Sequence, residues 1–298
     1  MPAKEKKDEH NEDEQIEVLL FDLDGTLYDN ACGYADTIHQ QIFQFMVETK
    51  GGKFDAITTV AQAEAIWAPI YNKYNLTKRG LIGEGYIFDS HQYDTYIRRG
   101  AAKYISKDPQ LRRFLQSFPS RMQKVIVTNA PESSAIEILE LLGVRDLFKE
   151  VLGTDFFGPT VCKPEPEAFQ KVLQHLGLFH DPEKENKEEP TTVQDDINTA
   201  APATTTTNNH SPQDPENTKY QPPHRYRNVC YFEDSFKNLH AGQRDFGFRT
   251  VWIVSTTTLE AEGSLSSSAD RHHFDAILHN TCVHPQELHA QLPELWEE

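Results

Sequence analysis

The sequence predicts an α/β fold, in which an open, mostly parallel sheet carries helices on both faces. Three observations favour this fold. Several short runs, such as IEVLLF, are apolar at every position, which is typical of strands covered on both faces. Stretches with helical spacing of apolar residues separate these runs, so the connections must be crossovers between parallel strands. The first run ends in aspartates and Gly25, and ligands of open α/β sheets bind at such strand ends.

The predicted strands are apolar runs rich in the β-branched and aromatic residues that favour extended backbone. The first spans residues 16–24, IEVLLFDLD. The others are residues 124–129, 228–232 and 248–254, with weaker candidates at 150–152 and 275–279.

Two of the intervening stretches have interpretable helix ends. Residues 131–143, PESSAIEILELLG, begin at a proline, and Gly143 supplies a left-handed cap at the other end. Residues 165–177, EPEAFQKVLQHLG, repeat this design and end at Gly177. Both stretches place their apolar residues on one face, as expected of helices that cover a sheet.

Two segments interrupt the alternation of strands and helices. Residues 30–107 carry aromatic and apolar residues at helical spacing and predict an inserted helical cap domain. Residues 180–227 are dominated by Pro, Thr, Asn and acids, and we expect a disordered insertion there. Residues 1–15 are expected to be a disordered acidic tail. The core domain would then comprise residues 16–29 and 108–298.

Composition excludes several classes of function. The net charge of −17 disfavours binding to a nucleic acid polymer or to an anionic membrane. No apolar run approaches the roughly 20 residues of a membrane-spanning helix, and no apolar stretch follows the first lysines, so we expect a cytoplasmic protein. The four cysteines form no CxxC pair, which indicates reduced packing residues rather than a zinc site.

The sharpest chemical signal is DLDGT at residues 22–26, at the end of the first strand. Side chains two positions apart in a strand point the same way, so Asp22 and Asp24 can converge on one small molecule. One carboxylate can attack phosphorus while the other donates a proton to the leaving oxygen. Two adjacent negative charges also predict a hard divalent cation such as Mg²⁺. A turn with solvated acids is the alternative.

Further candidates follow two later strands. Thr128 and Asn129 precede a helix, where a hydroxyl and free backbone N–H groups can hold a phosphoryl oxygen. Lys163 precedes a helix that begins with proline, and its ammonium can neutralise a phosphate and a nucleophile at the same edge of the sheet. Taken singly, Thr128 is more often a helix cap and Lys163 a solvated surface lysine.

The last candidates end the strand at residues 228–232. Asp234 can ligate a cation, and Glu233 and Ser235 flank it. Asn238 lies on the first turn of the next helix, where it can support the ligands. An acidic helix start is the alternative. Together, however, the four sites share strand ends and supply a nucleophile, an acid, oxyanion donors and a cation.

These motifs resemble the haloacid dehalogenase-like superfamily of phosphatases. The matching segments are DLDGT at 22–26, VTN at Thr128, KP at Lys163 and EDS at 233–235. The resemblance implies a Rossmann-like core with an α-helical cap inserted after the first motif. True dehalogenases of the superfamily lack the second aspartate, so Asp24 indicates phosphate chemistry.

The resemblance also implies roles for these residues. Asp22 would be the nucleophile that forms an aspartyl phosphate, and Asp24 the general acid and base. Asp22, the backbone carbonyl of Asp24 and Asp234 would hold Mg²⁺. Thr128 and Lys163 would contact the phosphoryl group.

Within the superfamily, the chain is similar to the fungal and plant pyrimidine 5′-nucleotidases in segments such as YNLTKRGLIGEGY and VCKPEPEAFQKVL. The expected substrate is therefore a small phosphorylated metabolite, with a nucleoside monophosphate favoured. Selectivity is assigned to residues 77–93 of the cap, where Arg79 and His91 are the candidate contacts to a base or ribose.

Two alternatives share the same motifs. A phosphomutase or phosphotransferase would return the phosphoryl group to a second substrate instead of water. A non-catalytic binding protein on this fold belongs to a different class, and it is disfavoured because none of the catalytic positions appears substituted.

Overall fold

The computed structural model describes residues 15–179, 226–254, 274–279 and 285–296. The strands are β1 (Val18–Phe21), β2 (Gln123–Val127), β3 (Glu150–Leu152), β4 (Val229–Glu233), β5 (Arg249–Val254) and β6 (Ala276–His279). They form one six-stranded sheet in the order β3-β2-β1-β4-β5-β6, and all neighbours are parallel. The predicted parallel α/β sheet is confirmed, including its two weaker strands.

The register of the central strands places their carboxyl ends level with one another. Phe21, the last residue of β1, pairs with Ile126 of β2 and with Phe232 of β4. The next residue, Asp22, donates its backbone N–H to Phe232 at 2.9 Å. Residues that follow β1, β2 and β4 therefore meet at one edge of the sheet. On one side of β1 the next strands in the chain are β2 and β3, and on the other side they are β4, β5 and β6; ligands of open α/β sheets bind at such a switch point.

Helices cover both faces of this sheet. The helices of the sheet region are α5 (Pro109–Ser117), α6 (Glu132–Leu142), α7 (Thr154–Phe157), α8 (Pro166–His175), α9 (Phe236–Ala241) and α10 (Pro285–Gln291). Leu19 packs with Phe114 in one core cluster, whereas Leu20 packs with Phe169 in another. Alternate residues of β1 thus enter different cores, which explains why the strand is apolar throughout.

A third core lies among the helices that follow β1. These are α1 (Tyr34–Glu48), α2 (Val60–Tyr74), α3 (Thr77–Gly83) and α4 (Ser90–Arg98). They pack around buried side chains such as Phe45, Phe54 and Tyr93. The segment from 30 to 107 is helical with no strand, while its division from the sheet as a cap domain stays a prediction.

The remaining domain predictions fall largely outside the described ranges. The predicted acidic tail, residues 1–15, overlaps them only at Gln15, and the predicted insertion, residues 180–227, only at Tyr226 and Arg227. No helix within the described ranges has the length and apolarity needed to cross a membrane.

Candidate active site

A cavity of about 350 Å³ lies between the carboxyl edge of the sheet and helices α1 to α4. Its volume lies within the range of small-molecule sites, roughly 300–1,000 Å³. Nine of the residues predicted from the sequence line it: Asp22, Asp24, Thr128, Asn129, Lys163, Glu233, Asp234, Ser235 and Asn238. The structure therefore brings together side chains that come from four separate places in the sequence.

Lys163 is the centre of the site. Its ammonium donates to Asp22 Oδ1 at 2.7 Å, to Glu233 Oε2 at 2.8 Å and to the carbonyl of Val127 at 2.7 Å. The side chain is only 1% exposed. Burial opposes its charge, but the carboxylates of Asp22 and Glu233 outweigh burial and raise the pKa of the ammonium. Lys163 is therefore a fixed positive charge beside Asp22.

Asp22, Glu233 and Asp234 form an acidic cluster whose ligand oxygens all lie within 4.8 Å of one another. Burial, followed by the charge of Glu233, raises the pKa of Asp22 to about 7. Burial and the charges of Glu233 and Asp22 raise the pKa of Asp234 well above its ordinary value. One lysine cannot balance these carboxylates, and their hard oxygen donors fit a divalent cation such as Mg²⁺.

The ligand set of this cluster differs in part from the predicted one. Glu233, which the sequence placed beside the ligands, offers an oxygen to the cluster itself, whereas the carboxylate of Asp24 does not belong to it. In the sequence, Glu233 was marked only by its position next to Asp234 in the EDS motif. The predicted role of the Asp24 backbone carbonyl stays a prediction.

Gly25 allows the first and last motifs to approach each other. Its φ of +82° is a left-handed conformation that favours glycine. A Cβ at this position would lie 2.2 Å from Asp234 Oδ2 and 2.5 Å from Asn30 Nδ2. Asn30 itself donates to Asp234 Oδ2 at 3.4 Å. The glycine of DLDGT is thus required by the close approach of Asp234.

Asp24 is held by Arg98, the last residue of α4. The guanidinium donates to both carboxylate oxygens, at 2.9 and 2.6 Å, and the hydroxyl of Tyr28 donates to Oδ1. Burial opposes ionisation of Asp24, but the charge and hydrogen bonds of Arg98 outweigh it and lower the pKa of Asp24. Arg98 was not predicted from the sequence, because nothing in YIRRG distinguishes it from a surface cation.

Thr128 and Asn129 occupy the end of β2. Thr128 is buried, and its hydroxyl accepts from the backbone N–H of Ala130 at 3.1 Å. The side-chain amide of Asn129 donates to the carbonyl of Lys163 at 3.0 Å and accepts from its N–H at 2.9 Å. Asn129, predicted as a substrate contact, is thus engaged in positioning the backbone of Lys163.

Ser235 and Asn238 both contact Glu233. The backbone N–H of Ser235 donates to Glu233 Oε1 at 3.1 Å, and Asn238 Nδ2 donates to Oε2 at 3.2 Å. The hydroxyl of Tyr231 also donates to this carboxylate. These contacts fix Glu233 in the orientation that faces Lys163.

Arg79 and His91 are not brought to the cavity. Arg79 lies in an ion pair with Glu165 and donates to Cys162 Sγ at 3.4 Å, and His91 is exposed on the first turn of α4. Neither lines the cavity. The prediction that they contact the substrate has no support from this geometry, because both side chains leave α3 and α4 on other faces.

The helical segment lines the cavity with a different set of side chains. The polar and aromatic ones include His39, Trp67, Tyr71, Lys78 and Asp94. Of these, only Lys78 lies within the predicted selectivity segment, residues 77–93. The rings of His39, Trp67 and Tyr71 were not predicted, since aromatic residues at helical spacing are usual in a helical core.

Comparison with known proteins assigns this chain to a family. The model of the family described as haloacid dehalogenase-like hydrolase matches residues 16–202. Phosphate metabolism protein 8 of Saccharomyces cerevisiae is 28% identical over 172 residues, which cover 54% of this chain and 52% of the yeast protein. The match thus spans about half the length of that relative.

Two other similarities cover different shares of the chain. Phosphoglycolate phosphatase of Psychrobacter arcticus is 27% identical over 175 residues, 54% of this chain and 70% of that enzyme. The crystal structure of a HAD phosphatase from Thermococcus onnurineus aligns over 93% of this chain and 99% of its own, with a TM-score of 0.52 and 14% identity. The latter similarity shows the fold alone.

Proposed function

Because the chain belongs to the haloacid dehalogenase-like hydrolases, we propose that it is a phosphomonoester hydrolase in which Asp22 forms an aspartyl phosphate. The observation that carries this proposal is the buried ammonium of Lys163, 2.7 Å from Asp22 Oδ1 and 2.8 Å from Glu233 Oε2. This arrangement sets a nucleophile beside a fixed, buried cation in the lining of a substrate-sized cavity.

In the first half of the reaction, a carboxylate oxygen of Asp22 forms a bond to phosphorus as the ester P–O bond breaks. Lys163 orients this carboxylate and offsets the negative charge on the phosphoryl oxygens. Thr128 lines the same cavity, and its hydroxyl can contact one of these oxygens. Mg²⁺, held by Asp22, Glu233 and Asp234, would supply positive charge to the phosphoryl group and favour the ionised form of Asp22.

Asp24 is assigned to proton transfer. It would donate a proton to the departing alkoxide and then take one from the water that hydrolyses the aspartyl phosphate. The ion pair with Arg98 keeps Asp24 ionised, which is the form needed to accept a proton from water. The form that donates a proton would carry the one taken from the hydrolytic water in the preceding turnover, and the ion pair with Arg98 would have to loosen for Asp24 to hold it.

We further propose a nucleoside 5′-monophosphate, with a pyrimidine base, as the substrate and helices α1 to α4 as its cap. The cavity of about 350 Å³ extends from the carboxylates to side chains on α1 and α2, so it has room for more than a phosphoryl group. Phosphoglycolate is the second candidate, on the ground that several relatives carry that name.

A panel of phosphate esters tests these proposals. Inorganic phosphate release would be measured with UMP, CMP, AMP, GMP, phosphoglycolate and sugar phosphates, with Mg²⁺ and with EDTA. We expect release only with Mg²⁺ and highest kcat/KM with UMP or CMP. Isomerised sugar phosphate without phosphate release would indicate a phosphomutase, and rates independent of the nucleobase would exclude the nucleotidase.

The Asp22→Asn and Asp24→Asn variants test the assignment of the nucleophile and the acid. We expect Asp22→Asn to lose essentially all turnover. Asp24→Asn should lower kcat by about 10²- to 10⁴-fold, which is the usual contribution of general acid–base catalysis. If either variant kept near wild-type turnover, the assigned role would be wrong. A protein that binds the esters but hydrolyses none would be the non-catalytic alternative.

A further inference from the structure

We propose that His39, Trp67 and Tyr71 form an aromatic surface that binds the nucleobase of the substrate. This inference rests on the proposed function and assigns its specificity to residues that the sequence did not identify. All three side chains line the cavity that contains Asp22 and Lys163. They come from α1 and α2, whereas Asp22 and Lys163 come from the sheet region, so the two groups of residues belong to different elements.

The three rings form a continuous surface. Trp67 and Tyr71, one turn apart on α2, stack with ring centroids 5.1 Å apart and an interplanar angle of 20°. The ring centroid of His39 lies 5.2 Å from that of Trp67, at an interplanar angle of 55°. The core of the helical segment does not enclose Tyr71, which is 40% exposed. An exposed stacked ring beside a cavity suits a planar ligand.

Trp67 is held in one orientation. Its indole Nε1 donates to Thr77 Oγ1 at 2.8 Å, and Thr77 is buried at the start of α3. The ring of Phe43 contacts Trp67 edge-on, at 5.5 Å and 74°. A ring fixed on two sides loses little conformational freedom on binding, so it is organised for stacking before the ligand arrives.

The charges around the cavity favour an uncharged leaving group. Among the described residues that line it, each lysine and arginine is already paired: Lys78 with Asp94 at 2.6 Å, Arg98 with Asp24 and Lys163 with Asp22. Burial lowers the pKa of His39 and so disfavours its charged form. A second anionic group, such as the carboxylate of phosphoglycolate, would therefore lack a free cation, whereas an aromatic base needs none.

Comparison of two substrates isolates the contribution of the base. UMP and ribose 5-phosphate have the same phosphoester and the same sugar carbon at the scissile bond, and only UMP carries a base. We expect Trp67→Leu and Tyr71→Leu each to lower kcat/KM for UMP by about 5- to 150-fold, the range of one base–aromatic stacking contact, mainly through KM. Ribose 5-phosphate should keep its kcat/KM within about twofold.

Tyr104→Leu is the matched control. Tyr104 is a tyrosine of the same exposure, 39%, that does not line this cavity. We expect Tyr104→Leu to leave the ratio of kcat/KM for UMP to kcat/KM for ribose 5-phosphate unchanged. Because Tyr71 is exposed, Tyr71→Leu should fold even if Trp67→Leu does not, and thermal melts of each variant would verify this.

Different results would overturn the inference and the proposed function. Two results would show that the base does not bind here, although the phosphatase assignment would stand. In the first, the wild type hydrolyses UMP and ribose 5-phosphate equally well. In the second, the variants lower kcat/KM for both substrates by the same factor. If the wild type hydrolyses no phosphomonoester with Mg²⁺, the proposed function fails. In that case, binding of UMP but not ribose 5-phosphate, lost in Tyr71→Leu, would still support the aromatic surface.

Discussion

Lys163 has lost its contact with water and interacts instead with two carboxylates and a backbone carbonyl. We expect Lys163→Met, which keeps the volume and removes the charge, to lower kcat by at least about 10²-fold, comparable to loss of one oxyanion donor. The variant should also melt at a lower temperature, because the buried carboxylates of Asp22 and Glu233 lose the cation that balances them. Lys149→Met, at an exposed lysine, is the control and should change neither quantity. An active Lys163→Met enzyme would contradict the mechanism.

Arg98 should set the pH at which Asp24 titrates. Since the charge and hydrogen bonds of Arg98 lower the pKa of Asp24 against the effect of burial, Arg98→Met removes the lowering contribution and leaves the raising one. The limb of the pH–kcat profile that reflects the titration of Asp24 should therefore move to higher pH. Arg99→Met is the control, because Arg99 bonds to Gln41 rather than to Asp24. A profile that stays in place would show that this ion pair does not control Asp24.

At the residue scale, the strand-end residues were predicted from the sequence, whereas most of the side chains by which the helical segment lines the cavity were not, for a physical reason. Asp22, Lys163 and Asp234 follow elements whose ends must share one edge of a parallel sheet. Arg98 and Trp67 lie on helices whose orientation against the sheet depends on tertiary packing. The helical pattern shows that one face is buried, but it does not show which residues at the margin of that face reach the cavity.

At the scale of elements, the turn after β1 depends on Gly25. We expect Gly25→Ala to lower activity by at least about tenfold, because its Cβ would lie 2.2 Å from Asp234 Oδ2 and displace that carboxylate. Gly33→Ala is a close control, since Gly33 has a similar φ of +87° but no atom nearer than 3.7 Å to its Cβ. Both variants should lose about 1–2 kcal/mol of stability through backbone strain. Equal activity of the two would contradict the packing argument.

The strands and helices of the sheet region were predictable because local and global signals agree. Residues 150–152 and 275–279 were weak candidates, yet each forms an edge strand of the sheet. Gly143 ends α6 with a φ of +74°, as its position in the pattern predicted. For α3 and α4, the helical pattern did not show which side chains reach the cavity, and the predicted substrate contacts of Arg79 and His91 have no support from the geometry.

At the scale of the whole molecule, a divalent cation should contribute to folding stability. A ligand that binds only the folded state stabilises it by about 2.7 kcal/mol at a hundred times its Kd. We expect Mg²⁺ to raise the Tm relative to EDTA, and Asp234→Asn to reduce this increase. Asp245→Asn, at an acid outside the cluster, is the control. Equal Tm values with Mg²⁺ and with EDTA would argue against a metal site.

The pH dependence of this stabilisation has a definite sign. Without the ion, the pKa of Asp22 rises to about 7 in the folded protein, so the folded state holds a proton that the unfolded chain releases near pH 4. This contribution to stability therefore falls as the pH rises from about 4 to about 7. The increase in Tm caused by Mg²⁺ should consequently be larger at pH 8 than at pH 5. Thermal melts at both values would check this.

The carbonyl oxygen of Lys163 accepts from Asn129 at 3.0 Å and from Asn75, at the end of α2, at 2.9 Å. The first donor belongs to the sheet region and the second to the helices over the cavity. If these helices part to admit a substrate or release a nucleoside, the carbonyl oxygen loses the hydrogen bond from Asn75 and keeps the one from Asn129. The peptide that carries the lysine would then keep its place through every turnover, and only the helical side would need to re-form its contact.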